Sequence, residues 1–361
     1  MSVSLLIAGG GTGGHLFPGV AVARELMARV PGAAVTFVGT AAGIEARVIP
    51  REGLTLDTIR SAGLKGKSPA ALLRGVLLLP LSAWDAWRVI SRRRPSVVIG
   101  VGGYSSGPVV ALAALRGVPT LLMEQNATPG LTNRLLSRLV RAAAVTYEES
   151  LATFGRKAFV AGNPVRPEFF AASPAGTAPG GRTRVLVFGG SQGAHAINMA
   201  MAEAAPTLAA ASPGVEVTHQ TGERDLSMVR EAYAGAGVVA RVEPFLFEMD
   251  REMRAADVIV CRAGATTLAE LTAAGRAAIL VPLPTATDDH QRRNAEALVR
   301  QGAARVIDQR ELTGTRLAEE LLGLARDGAA RERMATAARG MARPDAARVI
   351  VDRVLALAEP R

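Results

Sequence analysis

Residues Gly9 to His15 read GGGTGGH, between the apolar run Leu5-Leu6-Ile7-Ala8 and a helical pattern through Val20, Ala23 and Met27. A strand, a glycine-rich turn and a helix start in that order expose backbone N–H groups beside the positive end of a helix. That chemistry holds an anion, most often a phosphate. Gly9, Gly11 and Gly14 also fit G-x-G-x-x-G, the dinucleotide pattern. A nicotinamide site would further need an acid at the end of the second strand to hold the ribose. The second strand, Val35 to Val38, runs into Gly39-Thr40-Ala41-Ala42-Gly43 and meets no acid before Glu45, which weighs against that reading.

The same unit recurs 180 residues later. Val185 to Phe188 leads into Gly189-Gly190-Ser191-Gln192-Gly193-Ala194-His195, repeating Gly9, Gly10, Gly13 and His15. A second pair follows, Val97 to Ser106 beside Val258 to Thr267, again strand, small-residue turn and helix start. Short β-branched runs alternating with helical segments predict parallel sheets, so the duplication reads as two doubly wound α/β domains facing a central cleft. The expected limits are 1–164 and 165–345, with 346–361 forming a helix that packs back across the domains. Gly162-Asn163-Pro164-Val165-Arg166-Pro167 and the Ala/Pro/Gly/Ser stretch from Ala171 to Gly181 mark the seam.

Composition narrows the partners. The chain has 361 residues, 49% of them apolar, which is ample for two cores. Its single cysteine, Cys261, forms no internal disulfide and favours a reducing compartment. No basic segment precedes the first apolar run, so a signal peptide is not expected. The net charge of +10 lies wholly in the first half: residues 1–164 hold 18 Lys+Arg against 8 Asp+Glu, the remainder 24 against 24. An anionic partner for that half follows. Residues 64 to 94 sharpen this, with Leu72, Val76, Leu79, Trp84 and Trp87 among Arg88, Arg92, Arg93, Arg94 and other cations, and with Asp85 as the one acid. Two tryptophans and seven cations suit a helix lying on an anionic bilayer. A nucleic-acid partner is not expected, since no recognised module is present and aromatics are few.

Seven motifs, GGGTGGHLFP (9–18), GVGGYSSGP (100–108), EQNATPG (124–130), GNPVR (162–166), GGSQGA (189–194), CRAGATTLAE (261–270) and DDHQRRNA (288–295), run in order over nearly the whole chain. Together they resemble the MurG family, peripheral-membrane N-acetylglucosaminyltransferases of peptidoglycan synthesis with GT-B architecture. The resemblance implies inverting transfer of N-acetylglucosamine from UDP-GlcNAc to the C4 hydroxyl of the muramyl sugar of lipid I, an undecaprenyl-pyrophosphoryl glycolipid, giving lipid II. It also implies attachment to the cytoplasmic face of the bacterial inner membrane and a part in cell-wall biogenesis. The alternative is another GT-B glycolipid transferase with a different UDP-sugar or lipid.

The resemblance carries roles with it. Donor contacts fall on Thr12, Gly13, Gly14, Asn126, Arg166, Ser191, Gln192, Leu246, Ala265, Thr266, Thr267, Leu268, Ala269, Glu270 and Gln291. Glu270 would accept from the uridine ribose hydroxyls and Gln291 would touch the GlcNAc. Acceptor contacts fall on Gly11, Gly102, Gly103, Tyr104 and Asn133. Displacing UDP by a sugar hydroxyl requires a base working near neutrality, so His15 is the first candidate and Glu124, at a strand's carboxyl end, the second. Thr266 and Thr267 suit the cap of the helix that follows. No Asp-x-Asp motif occurs, no resident cofactor or metal is expected, and leaving-group charge falls to helix N-termini and backbone amides, with a loosely bound divalent ion left open.

Overall fold

The structure, a computed structural model, describes residues 3–62, 77–171, 181–190, 193–212 and 214–359. The chain forms two compact units, Met1–Val165 with Arg343–Arg361, and Arg166–Ala342.

The first unit is built on a seven-stranded parallel sheet of order β3-β2-β1-β4-β5-β6-β7. Its strands are β1 Ser4–Gly9, β2 Ala34–Gly39, β3 Thr55–Thr58, β4 Val97–Gly102, β5 Thr120–Glu124, β6 Ala142–Val145 and β7 Ala158–Val160. Leu5 to Ala8 of β1 pair on one side with Val35 to Val38 and on the other with Val97 to Gly100. Central strands covered on both faces show no alternation, and all six residues of β4 are buried. One face packs under the helices Gly13–Arg29 and Ala346–Ala358, the other under Leu79–Arg93 and Ser106–Leu115.

The last helix belongs to this unit although it follows the second in sequence. Its Ile350, Val351 and Val354 are fully buried, each worth about 1.5–3 kcal/mol of apolar burial. Arg29 pairs with Asp352 at 2.7 Å at the rim.

The second unit repeats the plan with six parallel strands, β10-β9-β8-β11-β12-β13. They are β8 Thr183–Phe188, β9 Val215–Gln220, β10 Val239–Glu243, β11 Val258–Cys261, β12 Ala277–Leu280 and β13 Arg305–Val306. In each sheet strand order reverses between two neighbours, β1 and β4 in the first and β8 and β11 in the second. Ligands of open parallel sheets bind beyond the carboxyl ends of that pair. The two motif pairs found by internal comparison are the four turns leaving these four strands.

Candidate functional site

In the first unit the turns after β1 and β4 pack backbone on backbone. Gly10 N–H donates to the Gly102 carbonyl at 3.3 Å. Gly103 has φ of 82°, and a Cβ there would run into the carbonyl oxygen of Gly10. Gly11, Gly102 and Gly103 are thus brought together, with Tyr104 exposed beside them. Glu45 lies beneath and is almost fully buried. Its carboxylate accepts from Gly11 N–H at 2.8 Å and from Thr40 N–H and Oγ1 at 2.8 and 3.0 Å. Burial raises its pKa, but those backbone and hydroxyl donors outweigh burial and hold it below the usual carboxylate range. The acid missing from the second strand's end is therefore present a few residues later, turned on the loop's own backbone.

His15 stands in the first turn of the helix Gly13–Arg29, its ring against the face Gly102 leaves open. Nδ1 is 3.3 Å from Gln125 Oε1, and Gln125 Nε2 donates to the Val101 carbonyl at 3.2 Å. That second bond fixes the amide's orientation, so Oε1 accepts and Nδ1 carries the proton. The neutral ring then has its basic lone pair on Nε2, the tautomer a general base needs.

Glu124, 2% exposed, closes β5. Oε1 accepts from Asn126 N–H (3.0 Å) and Asn126 Nδ2 (3.2 Å); Oε2 accepts from Gly130 N–H (3.0 Å) and Asn133 Nδ2 (2.8 Å). Four donors occupy its lone pairs and together hold loop 124–130 in its fold. Asn133, 3% exposed, lies under that loop and also donates to the Met123 carbonyl, a supporting position rather than a contact surface.

The second unit holds a cavity of about 490 Å³ where the turns after β8 and β11 meet, lined by Gly189, Gly190, Gly193, His195, Gly264, Thr267 and Gln291 among others. The helix Ala265–Ala274 begins after Gly264, and no side chain caps it. That corrects the expected cap by Thr266 or Thr267: both lie inside the first turn, at the positive end of the helix. Ala265 and Leu268 turn their side chains into the core, and Ala269 is half-buried. Gln291 Oε1 ties two loops together, accepting from Ala263 N–H at 3.2 Å and Leu283 N–H at 3.0 Å, which leaves its amide nitrogen to the cavity.

Burial pushes Glu270 up to about 7, Arg166 pulling it down and Asp250 pushing it further up. Arg166 itself stacks over Phe169 at 5.1 Å. Leu246 N–H donates to Gln220 Oε1 at 2.8 Å, and Gln220 Nε2 donates to Gly190 O at 2.8 Å, so one glutamine joins the second glycine loop to the turn after β10. Ser191 and Gln192 lie outside the described residues, as do Leu72 and Val76.

The helix Leu79–Arg93 presents a buried face of Ser82, Ala86, Val89 and Ile90 and an opposite face of Leu81, Trp84 and Trp87, with Leu79 exposed at its start. The tryptophans are 55% and 44% exposed and stack at 5.3 Å. The cations divide. Arg93 is bidentate to Asp57 (2.8 and 3.0 Å), and Arg92 reaches the same carboxylate at 2.8 Å. Asp85 is the one acid of residues 64 to 94, but Asp57 of β3 lies against two of that stretch's cations and offsets part of their charge. Arg88 is exposed beside the tryptophans, and Arg94 ends the helix in the left-handed region, φ 45°. Among the described residues no helix is long and apolar enough to cross a membrane.

The motifs assign no role to Glu45, Gln125, Gln220, His195 or Asp225. Only position hinted at them: Glu45 as the first acid after β2, and His195 as the echo of His15.

Two doubly wound parallel sheets, each with glycine turns at its switch point, define a GT-B glycosyltransferase architecture. Residues 5–145 match the glycosyltransferase family 28 N-terminal domain and residues 184–350 its C-terminal domain. A protein of Pelobacter propionicus named UDP-N-acetylglucosamine--N-acetylmuramyl-(pentapeptide) pyrophosphoryl-undecaprenol N-acetylglucosamine transferase is 48% identical over 375 residues, covering 98% of this chain and 99% of that protein. A protein of the same name from Anaeromyxobacter sp. (strain K) is 47% identical over 358 residues, covering 99% and 94%. The crystal structure of Acinetobacter baumannii MurG superposes with a TM-score of 0.81 at 30% identity, covering 98% of this chain and 99% of that one. The chain belongs to the MurG family of glycosyltransferases.

Proposed function

We propose that this protein transfers N-acetylglucosamine from UDP-GlcNAc to the C4 hydroxyl of the muramyl sugar of lipid I, with inversion, producing lipid II. The observation that carries the reading is near-full-length identity of 48% and 47% to relatives bearing that activity as their name.

The donor belongs to the second unit. A diphosphate suits the positive end of the helix that follows Gly264 and the glycine turn after β8, and the ribose hydroxyls suit Glu270. The acceptor's pyrophosphate suits the paired glycine turns at Gly11 and Gly102–Gly103. His15 Nε2 removes the C4–OH proton as that oxygen attacks C1 of GlcNAc from the face opposite UDP. The C1–O bond breaks, its electron pair passes to the β-phosphate oxygen, and the configuration at C1 inverts.

The stacked Trp84 and Trp87 with Arg88 support attachment to the anionic cytoplasmic face of the bacterial inner membrane, where a polyprenyl acceptor resides. One assay tests the reading: UDP-GlcNAc, UDP-GalNAc and UDP-glucose are each offered with a short-chain lipid I analogue. Transfer from UDP-GlcNAc alone is expected. Equal or better transfer from UDP-glucose, or no turnover with any donor, would overturn it.

A further inference from the structure

His195 repeats His15 in the duplicated scaffold but takes no part in the roles assigned so far. It opens the helix His195–Ala209 and lines the second unit's cavity with half its side chain exposed. Its Nδ1 lies 3.0 Å from each carboxylate oxygen of Asp225, which is itself buried.

Asp225 is fixed from behind by a chain of buried side chains whose donors and acceptors can all be assigned. Asn198 Nδ2 donates to Asp225 at 2.8 Å and to the Thr221 carbonyl at 2.9 Å, so Asn198 Oδ1 must accept. It accepts from His219 Nε2 at 3.0 Å, and His219 Nδ1 then accepts from the Tyr233 hydroxyl at 2.9 Å. Burial pushes His219 down to about 3, so it stays neutral as this pattern requires. Burial raises Asp225, but the Asn198 and His195 donors outweigh it and keep the carboxylate ionised. A neutral, ordered network therefore reaches from the core to one carboxylate, and that carboxylate sets the ring of one half-exposed histidine. A surface histidine with no ligand needs no such support.

We infer that His195, oriented by Asp225, is a leaving-group contact that donates from Nε2 to the diphosphate of the sugar nucleotide. In its charged form the ring donates twice, Nδ1–H to Asp225 and Nε2–H to the anion. The contact strengthens as the C1–O electron pair moves onto the β-phosphate oxygen, and no proton need leave the ring. The inference rests on the donor assignment made above.

The test compares wild type with His195→Asn, His195→Gln and Asp225→Asn in the full chain, measuring calorimetric binding of UDP and of uridine, thermal unfolding, and kcat at saturating donor. An Asn side chain can still donate to Asp225 but ends short of the cavity, whereas the Gln amide nitrogen reaches the place of Nε2. Losing one charge-assisted contact predicts that His195→Asn weakens UDP binding about tenfold or more. Uridine affinity and melting temperature should hold, kcat should fall, and His195→Gln should regain part of the UDP affinity. Asp225→Asn should lower UDP affinity in the same direction. Unchanged UDP affinity in His195→Asn, or UDP and uridine weakening together, overturns the inference. Wild type that binds neither UDP nor uridine overturns the donor assignment itself, a separate failure.

Discussion

Replacing Glu270 with Gln should make the protein more stable and a poorer enzyme at the same time. The native fold holds this carboxyl near 7, against an ordinary value of 4.5, because burial opposes its charge more than Arg166 favours it and Asp250 adds repulsion. At about 1.4 kcal/mol per unit, keeping the charge above pH 7 costs on the order of 3 kcal/mol. The sign follows from linkage. A raised carboxyl pKa means the native state binds the proton more tightly, so stability falls as pH rises from about 4.5 to 7; the penalty is complete above that window and absent below it. At pH 8 Glu270→Gln should therefore melt higher than wild type by roughly 5–10 °C, for a unit of this size. Most of that gap should vanish at pH 5.

On the donor assignment proposed above, the charge has work with ligand. A carboxylate accepting from two ribose hydroxyls loses about 1.5–3 kcal/mol when an amide replaces it, a rise in donor KM of roughly 10- to 150-fold. Calorimetric scans at pH 5 and 8 with donor kinetics at pH 8 measure both effects. A melting difference independent of pH would refute the buried-charge reasoning, and an unchanged donor KM would sink the ribose assignment.

Three further outcomes are expected. His15→Ala should lower turnover by about 10²–10⁴ while sparing UDP affinity, and near-normal turnover would move the base elsewhere. Gln125→Glu places a carboxylate against His15 Nδ1, favours the imidazolium, and should shift the acid limb of the pH–rate profile to higher pH; an unmoved limb would show that Gln125 does not orient the base. Trp84→Ser with Trp87→Ser, and separately Arg88→Gln, should weaken sedimentation with anionic vesicles, added salt mimicking only the arginine change, whereas Arg93→Gln should chiefly release Asp57. Binding indifferent to all of these would rule out docking through this helix.

Much of the site is legible in the sequence because its elements are local. GGGTGGH after an apolar strand is a βα turn wherever it folds, and its echo at 189–195 reports a second copy of the same unit. Internal comparison even picks out the four turns at the two switch points, since close backbone packing demands small residues there. What stays hidden is long-range. Glu45 is 34 positions from Gly11, Gln125 is 110 from His15, and Asp225 is 30 from His195. An isolated Glu or Gln carries no signal of which backbone amide it will meet. The charge of the helix 79–93 is misjudged for the same reason, because it is counted along the chain while Asp57 arrives from β3.

The sequence by itself determined the duplicated parallel-sheet plan, the glycine turns and the family, all of which follow from residue order and the steric freedom of glycine. Tertiary structure alone decided which groups are already occupied. It spends Glu124 on its own loop and Glu45 beneath the glycine turn, gives His15 its basic tautomer through Gln125, and buries Glu270 far enough to raise its pKa. Those outcomes depend on desolvation and on hydrogen-bond partners that only folding brings within about 3 Å.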